Sequence, residues 1–226
     1  IEPLIPKPTV GARGGRPRAD DRMVFEGILW IARSGARWKD LPERYPSPST
    51  CWRRLQEWQE QEVFKDMWRA FLSELDQQEL LDWDEAFMDG SFAPAKKGAR
   101  ESEKQEGKGS KWMVVVDAQG VPLGGLVHSA SPAEVRLAEA TLNEISVPRP
   151  SRGRPRTRPK KLIADKAYDS HPLRATLKKR GITLLVPYKK NRANHEMQNG
   201  QVKAQYRKRW TVERTISWIS RFKRLV

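Results

Sequence analysis

Five consecutive apolar residues, Trp112-Met113-Val114-Val115-Val116, put the tightest limit on the fold this chain can adopt. A strand with one wet face alternates apolar and polar residues. This run offers water no face, so it must be covered on both sides. Its neighbours predict what pairs with it. Asp117-Ala118-Gln119-Gly120 reads as a turn, and 121–128, with Gly124-Gly125 inside, returns as a hairpin strand. Ala86-Phe87-Met88-Asp89-Gly90-Ser91-Phe92 reads as a strand whose polar end is Asp89. Lys161-Leu162-Ile163-Ala164-Asp165 is a short strand that also ends in a carboxylate, and 182–186 is a further buried strand. Helices are predicted over 132–145, over 172–180 with Gly181 as the stop, and as one long helix after 201. Strands interleaved with helices in this order predict an α/β layer built on a mixed sheet.

Residues 1–80 read differently. Positions 1–19 are rich in proline, glycine and arginine and predict loop. Asp20 or Asp21 caps a helix over 22–34 that Gly35 stops, with Val24, Phe25, Ile28, Leu29, Ile31 and Ala32 as its buried face. After a proline-broken turn at 38–48, Ser49 caps a second helix. Cys51, Leu55 and Trp58 share one of its faces, and Arg53, Arg54 and Glu57 point away. A third helix over 62–75 carries Val63, Met67, Phe71 and Leu75 at helical spacing. Two readings fit: a helix-turn-helix-like module that presents Arg53 and Arg54 to a groove of DNA, or a helical bundle with a solvated basic face. The expected division is a small all-helical DNA-binding region over 1–80 and a second domain over 81–226.

Charge points to the partner. Lys and Arg number 43 against 28 Asp and Glu, a formal net charge of +15, which a polyanion matches best. No helix sets a clean apolar face against a lysine-rich one, which ranks a membrane surface well behind nucleic acid. Nine tryptophans belong to an ordered protein rather than a basic tail. No apolar run approaches membrane-spanning length and no signal peptide is visible, so a soluble, cytoplasmic protein is expected. Cys51 is the single cysteine, which excludes an intramolecular disulfide and suits a reducing compartment; it reads as a buried structural thiol. With His128, His171 and His195 scattered, zinc is not expected. Two runs, Gly14-Gly15-Arg16-Pro17-Arg18 and Arg152-Gly153-Arg154-Pro155-Arg156, can lie along a minor groove or serve as solvated basic linkers. Positions 95–111 are glycine- and lysine-rich and read as a mobile loop.

Three acids stand out against this basic background. Asp89 and Asp165 each follow an apolar run that ends a strand, where the functional crevice of an open α/β sheet forms. Glu213 is the single acid between Lys203 and Arg224, among eight basic residues. Gathered together, they would need a compensating cation. Two Mg²⁺ ions about 3.5–4 Å apart could then activate a nucleophile and stabilise a leaving oxygen in phosphoryl transfer. Each acid also has a simpler reading. A strand-end aspartate is commonly a turn or cap residue, and Glu213 is placed for an i, i+4 ion pair with Arg209. Among other acids, Asp117 is explained by its turn, Asp82, Asp84 and Glu85 by solvated strand entry, and Asp169 by capping the helix near Pro172.

The ordered motifs Phe87-Met88-Asp89-Gly90-Ser91, Gly107-Lys108-Gly109-Ser110-Lys111, Leu162-Ile163-Ala164-Asp165-Lys166-Ala167-Tyr168-Asp169-Ser170 and the stretch from Tyr206 to Arg214 resemble bacterial insertion-sequence transposases of the DDE superfamily, IS-five-type branch. Gly15-Arg16-Pro17-Arg18, Gly27-Ile28-Leu29-Trp30 and Trp38-Lys39-Asp40-Leu41-Pro42 fit the same pattern, so the resemblance spans nearly the whole chain. It implies a ribonuclease H-like catalytic domain, with Asp89, Asp165 and Glu213 as catalytic residues that bind two Mg²⁺ ions, Mn²⁺ substituting. The separations, 165 − 89 = 76 and 213 − 165 = 48, leave no room for a large inserted domain before the glutamate. It also implies a bacterial, nucleoid-associated enzyme that cleaves double-stranded DNA at element ends and joins the 3′-hydroxyl to target DNA, as a homodimer or higher assembly. The positions it marks for DNA contact are Lys108, Lys111, Lys166, Tyr168, Tyr206, Arg209 and Arg214, beside Arg16, Arg18, Arg53, Arg54, Arg154 and Arg156. The segment 194–200 is less basic than that pattern. Rival readings are a stand-alone nuclease of the same fold and a transposase-derived DNA-binding protein without catalysis.

Overall fold

Strand β1 (Glu85–Pro94) lies at the centre of a five-stranded sheet in the order β3-β2-β1-β4-β5. The computed structural model describes residues 2–6, 18–94, 109–150, 153–187 and 200–222, apart from the side chains of 2, 94 and 200–203. Strand β2 (Gly109–Asp117) pairs antiparallel with β1 and with β3 (Pro122–Ser129), whereas β4 (Lys161–Ile163) runs parallel to β1 and β5 (Thr183–Leu185) parallel to β4. Parallel pairs need crossovers, and α4 (Glu134–Asn143) and α5 (His171–Lys179) lie in the connections to β4 and β5. Three antiparallel strands joined to two parallel ones, with helices in the crossovers, form the mixed, ribonuclease H-like sheet expected from the sequence.

The apolar run at 112–116 is covered on both sides, as it requires. Met113 and Val115 face a cluster with Met88, Leu137, Leu142, Leu162, Tyr168 and Leu177, while Val114 and Val116 face Phe87, Ile163 and Val212. Strands β1, β2, β4 and β5 therefore send alternate residues into two separate cores, and β3 contributes to the first alone. The second core is roofed by the C-terminal segment, which forms two helices, α6 (Gly200–Arg207) and α7 (Trp210–Ile219), and not the single long helix expected. At the break the backbone makes i→i+3 bonds, Arg209 N–H to the Tyr206 carbonyl at 3.1 Å and Thr211 N–H to that of Lys208 at 3.0 Å.

The chain divides into two compact units, Leu72–Ser217 and Ile1–Phe71 with Trp218–Val226. Within the second of these, α1 (Asp21–Ser34) is capped by the Asp20 carboxylate on Met23 N–H at 2.8 Å and ends at Gly35 with φ 71°, a conformation that glycine adopts without strain. Helix α2 (Pro48–Glu60) is capped by Ser47, not Ser49, because Pro48 takes the first helical position, where its missing N–H costs nothing. Val24, Ile28, Ile31, Cys51, Trp58 and Val63 form the core here, and burial pushes the Cys51 thiol up.

Further expectations for these helices change. Leu29, expected in the buried face of α1, is exposed. Arg54 does not point away from the core: it is buried over the Trp58 ring and ion-paired with Asp21 and Glu57, so its guanidinium has partners inside the protein. On α3 (Val63–Gln77) the buried stripe passes through Leu72, leaving Phe71 half exposed against Trp68. Asp169 does not hold the N-terminal cap position expected of it. Its carboxylate takes Arg174 at 3.1 Å, and Ser170 holds the cap position of α5. No described helix is long and apolar enough to cross a membrane.

Candidate active site

The two-residue period of a strand places the first two acids. Phe87 packs into the core under Val212, so Asp89, two residues on, rises from the same face of β1. Ile163 packs into that same core from β4, and Asp165 follows two residues later in extended conformation (φ −70°, ψ 163°), its carboxylate accepting Lys166 N–H. The parallel pairing of β1 with β4 ends at Phe87 and Ile163, and both aspartates lie two residues beyond it. Contrary to expectation, Asp89 does not end its strand but lies midway along β1, because pairing with β2 carries that strand on to Pro94. Helix α7 lies over this face with Val212 buried beneath it, and that seats Glu213 near the two aspartates.

The three acids meet at one cation. Arg209 Nη1 lies 3.7 Å from Asp89 Oδ2 and 3.7 Å from Asp165 Oδ2, while Nη2 bonds Glu213 Oε1 at 2.6 Å. Nη1 is buried and makes no hydrogen bond, so it is held by charge alone. Tyr206 stacks near the same guanidinium and donates its hydroxyl to Asp165 at 3.4 Å. Side-chain exposure rises from 18% at Asp89 through 37% at Asp165 to 53% at Glu213, so the cluster opens toward solvent on the helix side. Burial raises the Asp89 carboxyl above the usual aspartate range; Arg209 and the Gly90 N–H pull it back, and Glu134 and Glu213 push it up. Burial opposes the Arg209 charge, yet Asp89, Glu213, Tyr206 and Asp165 outweigh it and raise its pKa.

Sequence reasoning missed Glu134, in the first turn of α4. Its carboxylate accepts the Tyr168 hydroxyl at 3.1 Å and lies against Gly90, where an added Cβ would stand 3.0 Å from it and 2.8 Å from Met113 Sδ. Burial first, then Glu134 and Asp89, keep the Tyr168 hydroxyl protonated. An acid in a first helical turn is common for reasons of helix dipole, so nothing in the sequence marked this one. Tyr168 is itself fully buried, which turns it to Glu134 and not to a surface contact.

The positions expected at DNA have mixed surroundings. Arg53, Arg154 and Lys166 are exposed. Arg18 pairs with Asp21 and Glu57, and Arg156 with Asp76 over the Trp83 ring. Lys111, expected in a loop, lies in β2 and donates to the Pro132 carbonyl at 2.9 Å. Arg214 donates to the Gln119 carbonyl at 2.6 Å and stacks on Trp210. Arg16 and Lys108 lie outside the described residues. Among the other acids, Asp84 is exposed and paired with Lys160. Glu85 departs from the solvated strand entry expected of it: only 12% exposed, it takes Gln205 at 2.7 Å and Lys208 at 3.2 Å, because α6 comes down beside β1.

Asp89, Asp165 and Glu213 supply oxygen donors only, the kind Mg²⁺ and Mn²⁺ take, and the point they surround already carries positive charge. Among the described residues no three His, Cys, Asp or Glu side chains are spaced to hold an ion as they stand. The donor set therefore fits the metal in kind, with the guanidinium at the centre.

A family model described as "Transposase DDE domain" matches residues 82–225, and one described as "Putative transposase of IS4/5 family" matches residues 1–68. The chain belongs to the DDE transposase family, IS4/5 type. It is 37% identical over 117 residues to a Burkholderia cepacia protein named "Putative transposase for insertion sequence element IS402", covering 52% of either chain. It is 39% identical over 83 residues to "Uncharacterized protein y4sN" of Sinorhizobium fredii, covering 37% of this chain and 62% of that one. The chain thus spans between half and two thirds of these curated relatives. A piggyBac transposase synaptic complex is similar at 14% identity and TM-score 0.41 over 84% of this chain and 47% of that one. The catalytic domain of Mos1 mariner transposase is similar at 10% identity and TM-score 0.33 over 70% and 88%. Likenesses at these scores carry no weight for the chemistry.

Proposed function

We propose that this DDE-family chain is an active transposase, with Asp89, Asp165 and Glu213 as its metal-binding catalytic residues. The observation that supports the reading is the meeting of three carboxylates, from mid-β1, from just beyond β4 and from a helix, at a single largely buried guanidinium. Mg²⁺, or Mn²⁺ in its place, would be held by these three side chains, two ions per site. Bound there, it would supply a nucleophile at neutral pH and offset charge on the phosphoryl oxygens.

The chain's own residues contribute the rest. Asp89 is held within β1 and Asp165 two residues beyond β4, each above a strand side chain, Phe87 or Ile163, that fills the core beneath it. Glu213 arrives on a helix anchored by Val212 and by Thr215, whose hydroxyl donates to the Gly120 carbonyl at 2.8 Å. Tyr206 orients Asp165. Lys166, exposed beside Asp165, is placed to meet a backbone phosphate, which positions DNA without reading its sequence. We assign DNA binding to residues 1–80 and catalysis to 81–226, with Arg53 and Arg154 as further phosphate contacts. Arg54 is left out because its charge is already paired. Double-stranded DNA, at the element ends and at the target, is the substrate. Handling two ends together calls for a dimer or higher assembly on DNA.

The test is cleavage of a labelled element end in Mg²⁺ or Mn²⁺, followed by capture of target DNA by the freed 3′-hydroxyl. Loss of cleavage in Asp89→Asn, Asp165→Asn and Glu213→Gln supports the assignment. Undiminished cleavage in all three variants would remove it, and cleavage without capture would favour a stand-alone nuclease.

A further inference from the structure

We propose that Arg209 is a positioning residue that assembles the three carboxylates before any ion arrives and gives up Asp89 and Asp165 when one binds. The inference rests on the reading of Asp89, Asp165 and Glu213 as metal ligands and adds a step to it.

Three like charges brought to one place repel one another, and Asp89, the least exposed of them, has the least water to screen it. One guanidinium faces all three, Asp89 and Asp165 through Nη1 and Glu213 through Nη2. Its two ends are held unequally. Nη2 makes a 2.6 Å charge-assisted bond to Glu213, four residues along its own segment. Nη1 faces Asp89 and Asp165 at 3.7 Å, is buried, and bonds to neither. A buried N–H without a partner is costly, so this end leaves its place at little loss once another cation satisfies the two aspartates. The position in the chain suits that exchange. Arg209 sits in the break between α6 and α7, where i→i+3 bonds replace the regular helical ladder. The guanidinium can therefore withdraw from Asp89 and Asp165 while keeping Glu213, and neither helix need unwind.

A guanidinium and a metal ion that need the same carboxylates are linked ligands, and each weakens the other by the same factor. Arg209→Gln therefore tightens Mn²⁺ binding, on the order of tenfold, as the resident competitor is removed. It also lowers the melting temperature of the metal-free chain and enlarges the rise in melting temperature that Mn²⁺ produces. A residue that merely supported the fold would weaken Mn²⁺ binding when removed, so the two roles move the measurement in opposite directions.

The experiment is a Mn²⁺ titration of the full chain without DNA, read by electron paramagnetic resonance and by calorimetry, for wild type, Arg209→Gln, Arg209→Lys and Asp89→Asn. Circular dichroism checks that each variant is folded. Tighter binding in Arg209→Gln supports the exchange; equal or weaker binding in the folded variant overturns it. If Arg209→Gln does not fold, Arg209→Lys decides. Its single ammonium cannot face three carboxylates at once, so binding tightens by a smaller factor, and unchanged affinity overturns the inference. Asp89→Asn separates the two levels of the argument. If it binds Mn²⁺ as wild type does, the metal reading fails and the exchange with it. If it loses Mn²⁺ while Arg209→Gln stays at the wild-type affinity, only the exchange fails.

Discussion

Asp117 is buried and Asp89 largely so, on adjacent strands, and burial raises the pKa of both, yet their surroundings differ. Asp117 accepts three backbone bonds, from Val121 N–H at 2.8 Å, Gln119 N–H at 3.0 Å and Asp82 N–H at 3.1 Å. Its oxygens are used up in closing the β2–β3 turn and tying down the entry to β1. Asp89 accepts one backbone bond, from its neighbour Gly90 at 3.0 Å, and its other oxygen looks at a guanidinium that it does not hydrogen-bond. A buried carboxylate satisfied by backbone stabilises the fold; one left with an open oxygen has bonding capacity to offer an ion or substrate.

Substitution should separate the two. Asp89→Asn, which keeps the shape and removes the charge, is expected to cut metal-dependent DNA cleavage by about a thousandfold, since metal stabilisation of a phosphoryl transfer is worth several kcal/mol. Its melting temperature should fall little, because the lost charge was itself costly to bury. Asp117→Ala should do the reverse, lowering unfolding free energy by about 1–3 kcal/mol through stranded N–H groups, with cleavage retained wherever the protein is folded. Denaturant unfolding beside the cleavage assay reads both. A variant pair that lost stability and cleavage in the same proportion would erase the distinction.

A smaller effect is expected at Gly90→Ala. The new methyl meets Met113 Sδ at 2.8 Å and the Glu134 carboxylate at 3.0 Å. Both are ends of flexible side chains, so the cost should fall near ~1 kcal/mol, the low end of overpacking. Displacement of Glu134 should appear as a changed Asp89 titration followed by carbonyl NMR. Glu134→Gln sharpens the same point: removing a nearby negative charge should lower the Asp89 pKa toward its ordinary value. No change would mean that Glu134 is electrically remote from the cluster.

The contrast between the two aspartates also has a pH signature. Because the folded-state pKa of Asp117 is raised, the folded chain binds that proton more tightly than the unfolded chain. Stability from this group is then greatest at low pH and declines as pH rises from the unfolded value through the raised one. The wild-type minus Asp117→Asn difference in unfolding free energy should carry that slope across the acid range. A flat difference would mean that its three backbone bonds cancel the effect of burial.

Much of this was legible in the sequence because it follows from short-range rules. The five-residue apolar run required cover on both faces, and two separate cores provide it. Asp20 and Gly35 marked the ends of α1 by chemistry that acts within a turn. The acids at 89, 165 and 213 could be singled out, but that they meet depends on the parallel pairing of β1 with β4 and on α7 crossing that face. The misses share one cause. Arg54, Glu85 and Tyr168 looked like surface or contact residues by type, and each is claimed by a partner distant in sequence: Asp21, Lys208 and Glu134. Pairing of charges across elements leaves no local pattern. Nor did the break between α6 and α7, since Lys208-Arg209 contains neither glycine nor proline.

The account stands most directly on a Mn²⁺ titration of the DNA-free chain, comparing wild type with Asp89→Asn, Asp165→Asn, Glu213→Gln and Asp117→Asn. It predicts binding by wild type and by folded Asp117→Asn, and affinity lowered by at least about tenfold in each of the other three. Wild-type affinity in those three, or an equal loss in folded Asp117→Asn, would contradict it.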